Sequence, residues 1–87
     1  MARDDIAEFG IYLAEERHAS QNTIASYLRD VTQFSEYLAD RHGASLRQAD
    51  ADTVQEYMGW MRGRGKSAAS VTRFLASIKS FYTFLSS

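Results

Sequence analysis

The sequence contains no cysteine and no proline among its 87 residues, and only five glycines. Without cysteine, neither a disulfide framework nor a thiolate zinc site can form, which fits a cytoplasmic protein. The many alanine, leucine, glutamate, arginine and glutamine residues favour helices. No apolar run approaches the roughly 20 residues that span a bilayer, and the charged N-terminus is not a signal peptide. We therefore expect a helical protein without a membrane partner.

Charge is distributed unevenly although the net charge is only −1. All eleven acidic side chains lie within residues 1–56 together with five arginines, whereas residues 57–87 carry five basic side chains and no acid. This asymmetry points to a polyanionic partner for the C-terminal part. A folded domain whose two parts neutralise each other explains it equally well.

Apolar residues recur at helical spacing in four segments, and no alternation of period two is long enough for a strand. We predict helices over residues 4–17, 21–41 and 53–62, and a fourth from Ser67 or Ser70 to Leu85. Ser20 suits the N-cap of the second helix, Asp50 or Asp52 that of the third, and Gly43 the end of the second. The predicted fold class is all-α.

Three fragments look like ligand sites, and each is explained without one. Residues 65–67 read Gly-Lys-Ser like the end of a phosphate-binding loop, but Trp60 stands where that motif needs glycine. Residues 50–52 begin like a calcium loop, which would need glycine at Gln55 and glutamate at Met61. The two histidines end different helices without metal-ligand spacing. We predict no metal, no cofactor and no catalytic residue in this chain.

Two helix starts carry a shared chemistry. Residues 20–27 and 66–73 both offer hydroxyl groups and free backbone N–H groups at the positive end of a helix, which suits phosphate oxygens. On the fourth helix a polar face comprises Lys66, Ser70, Arg73 and Ser77, and on the second helix Thr23, Ser26 and Asp30 form a comparable stripe.

A polar helix face of this kind fits the DNA major groove, where arginine reads guanine or bridges phosphates. Serine, threonine and asparagine are also ordinary caps, and any surface helix has a polar face. The alternative is therefore a helical protein–protein interaction domain that does not bind DNA.

The same residues resemble a known family. The first piece reads Ser20-x-Asn22-Thr23-Ile24-x-x-Tyr27-x-Arg29-Asp30, followed by Phe34 and Tyr37-Leu38. The second reads Gly65-Lys66-Ser67, then Ser70-Val71-x-Arg73-x-Leu75-Ala76-Ser77-Ile78-Lys79-x-Phe81-Tyr82-x-Phe84-Leu85. In order and spacing these pieces resemble the core-binding domain of tyrosine recombinases and phage integrases, with Xer-type recombinases the most similar group.

The resemblance implies a SAM-like orthogonal bundle of four helices occupying residues 1–87 as a single domain. In the family this domain and a C-terminal catalytic domain close around duplex DNA as a clamp during recombination or integration, with helices 2 and 4 across the major groove. The positions that match family DNA contacts are Thr23, Ser26, Ala69, Arg73 and Ser77. The predicted interface is completed at the helix starts by Ser20, Asn22, Lys66, Ser67 and Ser70.

The resemblance also implies that catalysis belongs elsewhere. The family's catalytic arginines, histidines and nucleophilic tyrosine lie in the catalytic domain, so none of the five tyrosines here takes that role. The chain ends at Ser87 within a strongly apolar helix, and we expect it to be a fragment of a longer recombinase. Its expected partners are double-stranded DNA and the other subunits of a recombinase tetramer, and the isolated domain is expected to be a monomer.

Overall fold

The computed structural model describes the backbone of residues 2–86 and the side chains of residues 5–86. The chain forms four α-helices and one short 3-10 helix, in the order α1 (Ala2–Glu15), α2 (Gln21–His42), the 3-10 helix (Leu46–Gln48), α3 (Ala51–Gly63) and α4 (Ala68–Ser86). No strand occurs within residues 2–86. The all-α prediction is confirmed, whereas the 3-10 helix was not predicted.

The helix ends follow local hydrogen bonds. Three side chains accept from the backbone N–H three residues later and cap α2, α3 and α4: Ser20 from Thr23 (3.2 Å), Asp50 from Thr53 (2.9 Å) and Ser67 from Ser70 (3.1 Å). Asp50 and Ser67 are thus the caps among the predicted alternatives. Gly43 ends α2 in the left-handed region at φ 58°, as its position predicted. The first helix ends earlier than predicted because His18 takes φ 51° and the Ala19 N–H donates back to the Leu13 carbonyl.

The core lies between the four helices and is rich in aromatic rings. Phe34 of α2 contacts Tyr57 of α3 and Phe74 of α4, with ring centroids 5.1 and 5.5 Å apart, and Phe9 of α1 meets Phe81 of α4 edge-on at 5.2 Å. Rings packed in tilted and edge-on pairs add to the stabilisation from apolar burial. The fully or nearly fully buried apolar side chains are Phe9, Leu13, Val31, Phe34, Tyr37, Leu38, Leu46, Tyr57, Met58, Met61, Val71, Phe74, Ile78 and Phe81.

Helices α2 and α4 form the central pair. With 22 residues α2 is about 33 Å long, close to the 35 Å long dimension of the domain. The two helices run antiparallel, since Thr23 lines a groove with Thr83 whereas Asp30 bonds to Arg73. Helix α1 packs closely on α2 where Gly10 faces Leu28, because a Cβ at Gly10 would lie 3.2 Å from a Leu28 methyl group.

One hydrogen bond ties the C-terminal part of α4 to the 3-10 helix. The Tyr82 hydroxyl donates to the Leu46 carbonyl at 2.5 Å, and Leu46 is fully buried. Burial raises the pKa of Tyr82 to about 12, and it raises the pKa of Tyr57 to about 12 as well.

These tyrosines make the fold sensitive to alkali. Between pH 10 and pH 12 the unfolded chain releases the two phenolic protons while the folded chain keeps them, so the free energy of unfolding falls as the pH rises. We expect Tyr82→Phe to cost about 0.5–1.5 kcal/mol at neutral pH, the value of one hydrogen bond, and to show a shallower decline above pH 10. Urea unfolding at pH 8 and pH 11 measures both effects. An equally steep decline in the variant would contradict this role for Tyr82.

Candidate nucleic-acid interface

A partly buried ion pair joins the middle of α2 to α4. Arg73 donates through Nε and Nη2 to the two carboxylate oxygens of Asp30, at 2.9 and 2.8 Å. Only 4% of the Asp30 side chain is exposed, whereas 42% of the Arg73 side chain is. The hydrogen bonds to Asp30 raise the pKa of the Arg73 guanidinium further, so this arginine stays charged. The pair places a cation at the surface whose partner is inside the domain.

Ser77 of α4 also contacts Asp30, and it is buried, not at the surface. Its side chain is fully buried, and its hydroxyl donates to the Phe74 carbonyl at 2.7 Å and lies 3.3 Å from Asp30 Oδ2. The predicted polar face of α4 is therefore divided: Lys66 and Arg73 are exposed to solvent, whereas Ser77 is buried against α2. Ser77 points toward α2 because the two helices cross there, and it is not available to an external partner in this structure.

The structure does not bring the two polar helix starts together. Because α2 and α4 are antiparallel, the start of α2 lies beside the C-terminal half of α4, and the start of α4 lies beside the C-terminal half of α2. The interval from Thr23 to Tyr37 measures about 20 Å along α2. Arg73 sits between the two ends.

A shallow groove opens at the start of α2. We call it the α2-start groove, and it is lined by Leu13, Arg17, Ala19, Thr23, Tyr27, Ala76, Lys79, Ser80 and Thr83. Its two charged lining residues, Arg17 and Lys79, are both cations and both exposed. No acidic residue lines this groove, and cations that are not paired attract an anion more strongly than cations that are.

A second groove lies at the start of α4, between α2 and α3. Its lining includes the cations Arg41, Arg64 and Lys66 together with the acids Glu36 and Asp40. Trp60 lies in this groove, and the guanidinium groups of Arg41 and Arg64 stand 5.9 and 5.0 Å from its ring centroid. The mixed charge makes this groove a weaker anion site than the α2-start groove.

The ten predicted contact residues are distributed as follows. Exposed are Ser20, Asn22, Lys66, Ser67, Ala69 and Arg73; half-buried are Thr23, Ser26 and Ser70; buried is Ser77. The hydroxyl groups of Ser20 and Ser67 also donate to Thr23 and Ser70 within their own caps, at 3.0 and 3.1 Å.

Sequence reasoning missed three residues that shape this surface. Lys79 was counted among the basic residues without a role, Arg17 was predicted only as the end of the first helix, and Asp30 was placed on the polar stripe of the second helix. A signal for Asp30 was present, because it lies three residues after Tyr27 and four before Phe34 at the edge of the apolar face. A charged residue at such a position is buried only when it is paired.

Comparison with known proteins identifies the fold family. The family described as "Phage integrase, N-terminal SAM-like domain" matches residues 6–87. This chain belongs to that family. The SAM-like domain is the expected four-helix fold, and the match covers all of α2, α3 and the described part of α4.

Sequence relatives of the SAM-like domain carry the names of tyrosine recombinases. A protein of Caldanaerobacter subterraneus subsp. tengcongensis, named as a tyrosine recombinase, is 39% identical over 85 residues, which is 98% of this chain and 29% of that protein. Tyrosine recombinase XerC of Roseiflexus sp. (strain RS-1) is 34% identical, covering 94% of this chain and 26% of the relative.

Tyrosine recombinase XerD of Staphylococcus aureus (strain Mu50) is 33% identical, covering 91% of this chain and 27% of the relative. The SAM-like domain thus spans less than a third of the length of these relatives. No solved structure gives a significant match.

The described part of the SAM-like domain contains neither a membrane-spanning helix nor a cluster of metal ligands. None of its helices is both long enough and apolar enough to cross a membrane. No group of three or more histidine or acidic side chains within the described residues is arranged to hold a metal ion.

The ion pair should respond unequally to the loss of its two members. Arg73→Ala leaves the buried Asp30 carboxylate unpaired, and we expect it to lower the free energy of unfolding by about 2–3 kcal/mol, less than for a fully buried pair because Arg73 is partly solvated. Asp30→Asn leaves Arg73 free to turn to water and should cost about 1 kcal/mol. Urea unfolding of both variants measures the difference. Equal costs, or a larger cost for Asp30→Asn, would show that the Asp30 carboxylate is not effectively buried.

Proposed function

We propose that this SAM-like domain is the DNA-binding part of a tyrosine recombinase and that it contacts duplex DNA through α2 and α4 during recombination or integration. The observation that carries the proposal is the exposed guanidinium of Arg73, held at the junction of α2 and α4 between two polar helix starts. Family membership and the names of the relatives support the recombinase context.

The charges on this surface suit a polyanion. Arg17 and Lys79 flank the α2-start groove without an acidic neighbour in its lining, and Lys66 lies exposed before α4. These three cations form no ion pair among the described residues, and such cations can neutralise phosphates and displace condensed counterions from DNA. Arg73 differs from them because Asp30 already balances its charge.

The spacing of the helix starts is also compatible with a duplex. The two ends of the α2–α4 pair are about 20 Å apart along α2, and a major groove about 12 Å wide fits between them. The hydroxyl groups of Thr23 and Ser70, which accept from Ser20 and Ser67, still have a proton to donate and would then face phosphates on either side. Ala69 is exposed beside Arg73 and offers only a methyl group, which suits an apolar contact.

We assign the chemical step to a part of the recombinase outside this chain. Tyr37, Tyr57 and Tyr82 serve the fold, since Tyr37 donates to Glu56, Tyr82 donates to Leu46, and Tyr57 packs among the core rings. Burial raises the pKa of Tyr57 and of Tyr82 to about 12, the opposite of an activated nucleophile. The other partners are the remaining subunits of a recombinase tetramer on DNA, and the domain alone is a monomer.

A second candidate function is binding of another protein without DNA. It is favoured by Ile11, which is 56% exposed on α1. Ile11 borders an apolar groove with Ile24 and Leu28 of α2. Under this alternative the isolated domain sediments in a concentration-dependent manner and leaves duplex DNA unbound.

Titration with a short duplex at low salt tests the proposed function. We expect weak non-specific binding with a dissociation constant of about 10⁻⁴–10⁻⁶ M. Lys79→Gln should weaken binding to every duplex and make the dependence of log K on log salt shallower by about one, as for one lost phosphate contact.

The matched control is Arg47→Gln. Arg47 pairs with Asp5 and is next in the chain to Leu46. The Leu46 carbonyl accepts from Tyr82, which lies on the face of α4 opposite to Arg73. This variant should bind DNA as the parent chain does. Amide NMR should place the DNA-induced shifts at residues 17–30 and 66–83. No binding at low salt, or shifts confined to α3 and the first half of α1, would refute the proposed interface.

A further inference from the structure

We infer that Asp30 is a positioning residue that presents the outer edge of Arg73 to a guanine in the major groove. The inference rests on the proposed DNA-binding function and goes beyond it by assigning sequence recognition to one pair of side chains. Its basis is that the Asp30 carboxylate accepts from the Nε and Nη2 edge of the guanidinium and leaves the Nη1–Nη2 edge unoccupied.

A guanidinium carries five N–H donors in a planar fork. Asp30 engages one edge of that fork, through Nε at 2.9 Å and Nη2 at 2.8 Å. The opposite edge, formed by Nη1 and the second hydrogen of Nη2, makes no hydrogen bond within the described residues. Two parallel donors are therefore left without a partner among the described residues, on a side chain that is 42% exposed.

Burial and a hydrogen bond to Ser77 restrict the position of the Asp30 side chain. That side chain is only 4% exposed, and the fully buried Ser77 lies 3.3 Å from Oδ2. Ser77 is in turn held by the Phe74 carbonyl at 2.7 Å. An arginine fixed in this way has lost its rotamer freedom before DNA arrives, so it does not lose that entropy again on binding.

The charge balance favours a base over a phosphate as the partner of Arg73. The carboxylate of Asp30 offsets the arginine's positive charge, so a phosphate gains less from Arg73 than from Lys66 or Lys79, neither of which is in an ion pair among the described residues. Guanine instead offers two neutral acceptors, O6 and N7, spaced for two parallel N–H donors. The pair thus matches recognition of a base edge.

Two other roles for Asp30 give different outcomes. If Asp30 only stabilises the fold, its replacement changes stability but not the preference among DNA sequences. If Asp30 competes with DNA for Arg73, its replacement strengthens binding to all duplexes alike.

A selection experiment separates these roles. The 87-residue chain is incubated with a pool of duplexes carrying a randomised segment of about 12 base pairs, and the retained duplexes are sequenced, for the parent chain and for Asp30→Asn, Arg73→Lys and Lys79→Gln. The parent chain should enrich a guanine at one position. Asp30→Asn and Arg73→Lys should each reduce that preference by at least about fivefold, the lower limit for one bidentate base contact. Lys79→Gln, the matched control, should lower total retention and leave the preference intact.

Circular dichroism and urea unfolding establish that each variant is folded. Should Asp30→Asn not fold, Arg73→Lys still tests the guanine contact on which the role of Asp30 depends, because it keeps a cation beside Asp30 and lacks the planar fork. If the parent chain retains no duplex, the proposed DNA-binding function fails. If it retains duplexes without a guanine preference, or if either Asp30→Asn or Arg73→Lys keeps that preference, only the role of Asp30 and Arg73 fails. Stronger retention of all duplexes by Asp30→Asn would also overturn it.

Discussion

A carboxylate buried between two helices is the constraint on which the rest of this domain depends. Asp30 lies almost wholly inside the α2–α4 contact, and an unpaired charge there would cost several kcal/mol. Arg73 and Ser77 satisfy it, and because they lie on successive turns of α4 they fix which turn of α4 meets the middle of α2. The aromatic core supplies most of the burial, and the two parallel hydrogen bonds of the ion pair add a fixed geometry to the α2–α4 contact.

This constraint also decides which polar residues reach the surface. Part of the polar stripe on α2 and part of that on α4 face each other, so Asp30 and Ser77 are used internally while Arg73 extends outward. The cations without acidic partners then lie to either side, at Lys79 and Arg17 near the start of α2 and at Lys66 before α4. Under the proposed function, the charge-balanced Arg73 would read a base while the cations to either side would attract phosphates.

The local features of the domain were predictable from sequence because they depend on neighbours along the chain. Ser20 caps α2 and Gly43 ends it through contacts within a few residues, and the apolar spacing of Phe34 and Phe74 identified core positions. The pairing of Asp30 with Arg73 was not predictable in this way, since the two are 43 residues apart and each reads as a surface residue on an isolated helix. The burial of Ser77 and the placement of the helix starts at opposite ends follow from that same long-range contact.

The Asp30–Arg73 pair can act as proposed only if Arg73 keeps its bond to Asp30 while its Nη1–Nη2 edge meets DNA. Nitrogen-15 NMR of the Arg73 guanidinium, recorded without DNA and with a duplex that the chain retains, observes both edges of the side chain at once. We expect the Nε–H resonance to keep its chemical shift when DNA binds, because Asp30 still accepts from Nε–H, whereas the Nη resonances shift and sharpen. An Nε–H resonance that moves to its solvated position on binding, or Nη resonances that do not respond to bound DNA, would contradict the proposed role of this pair.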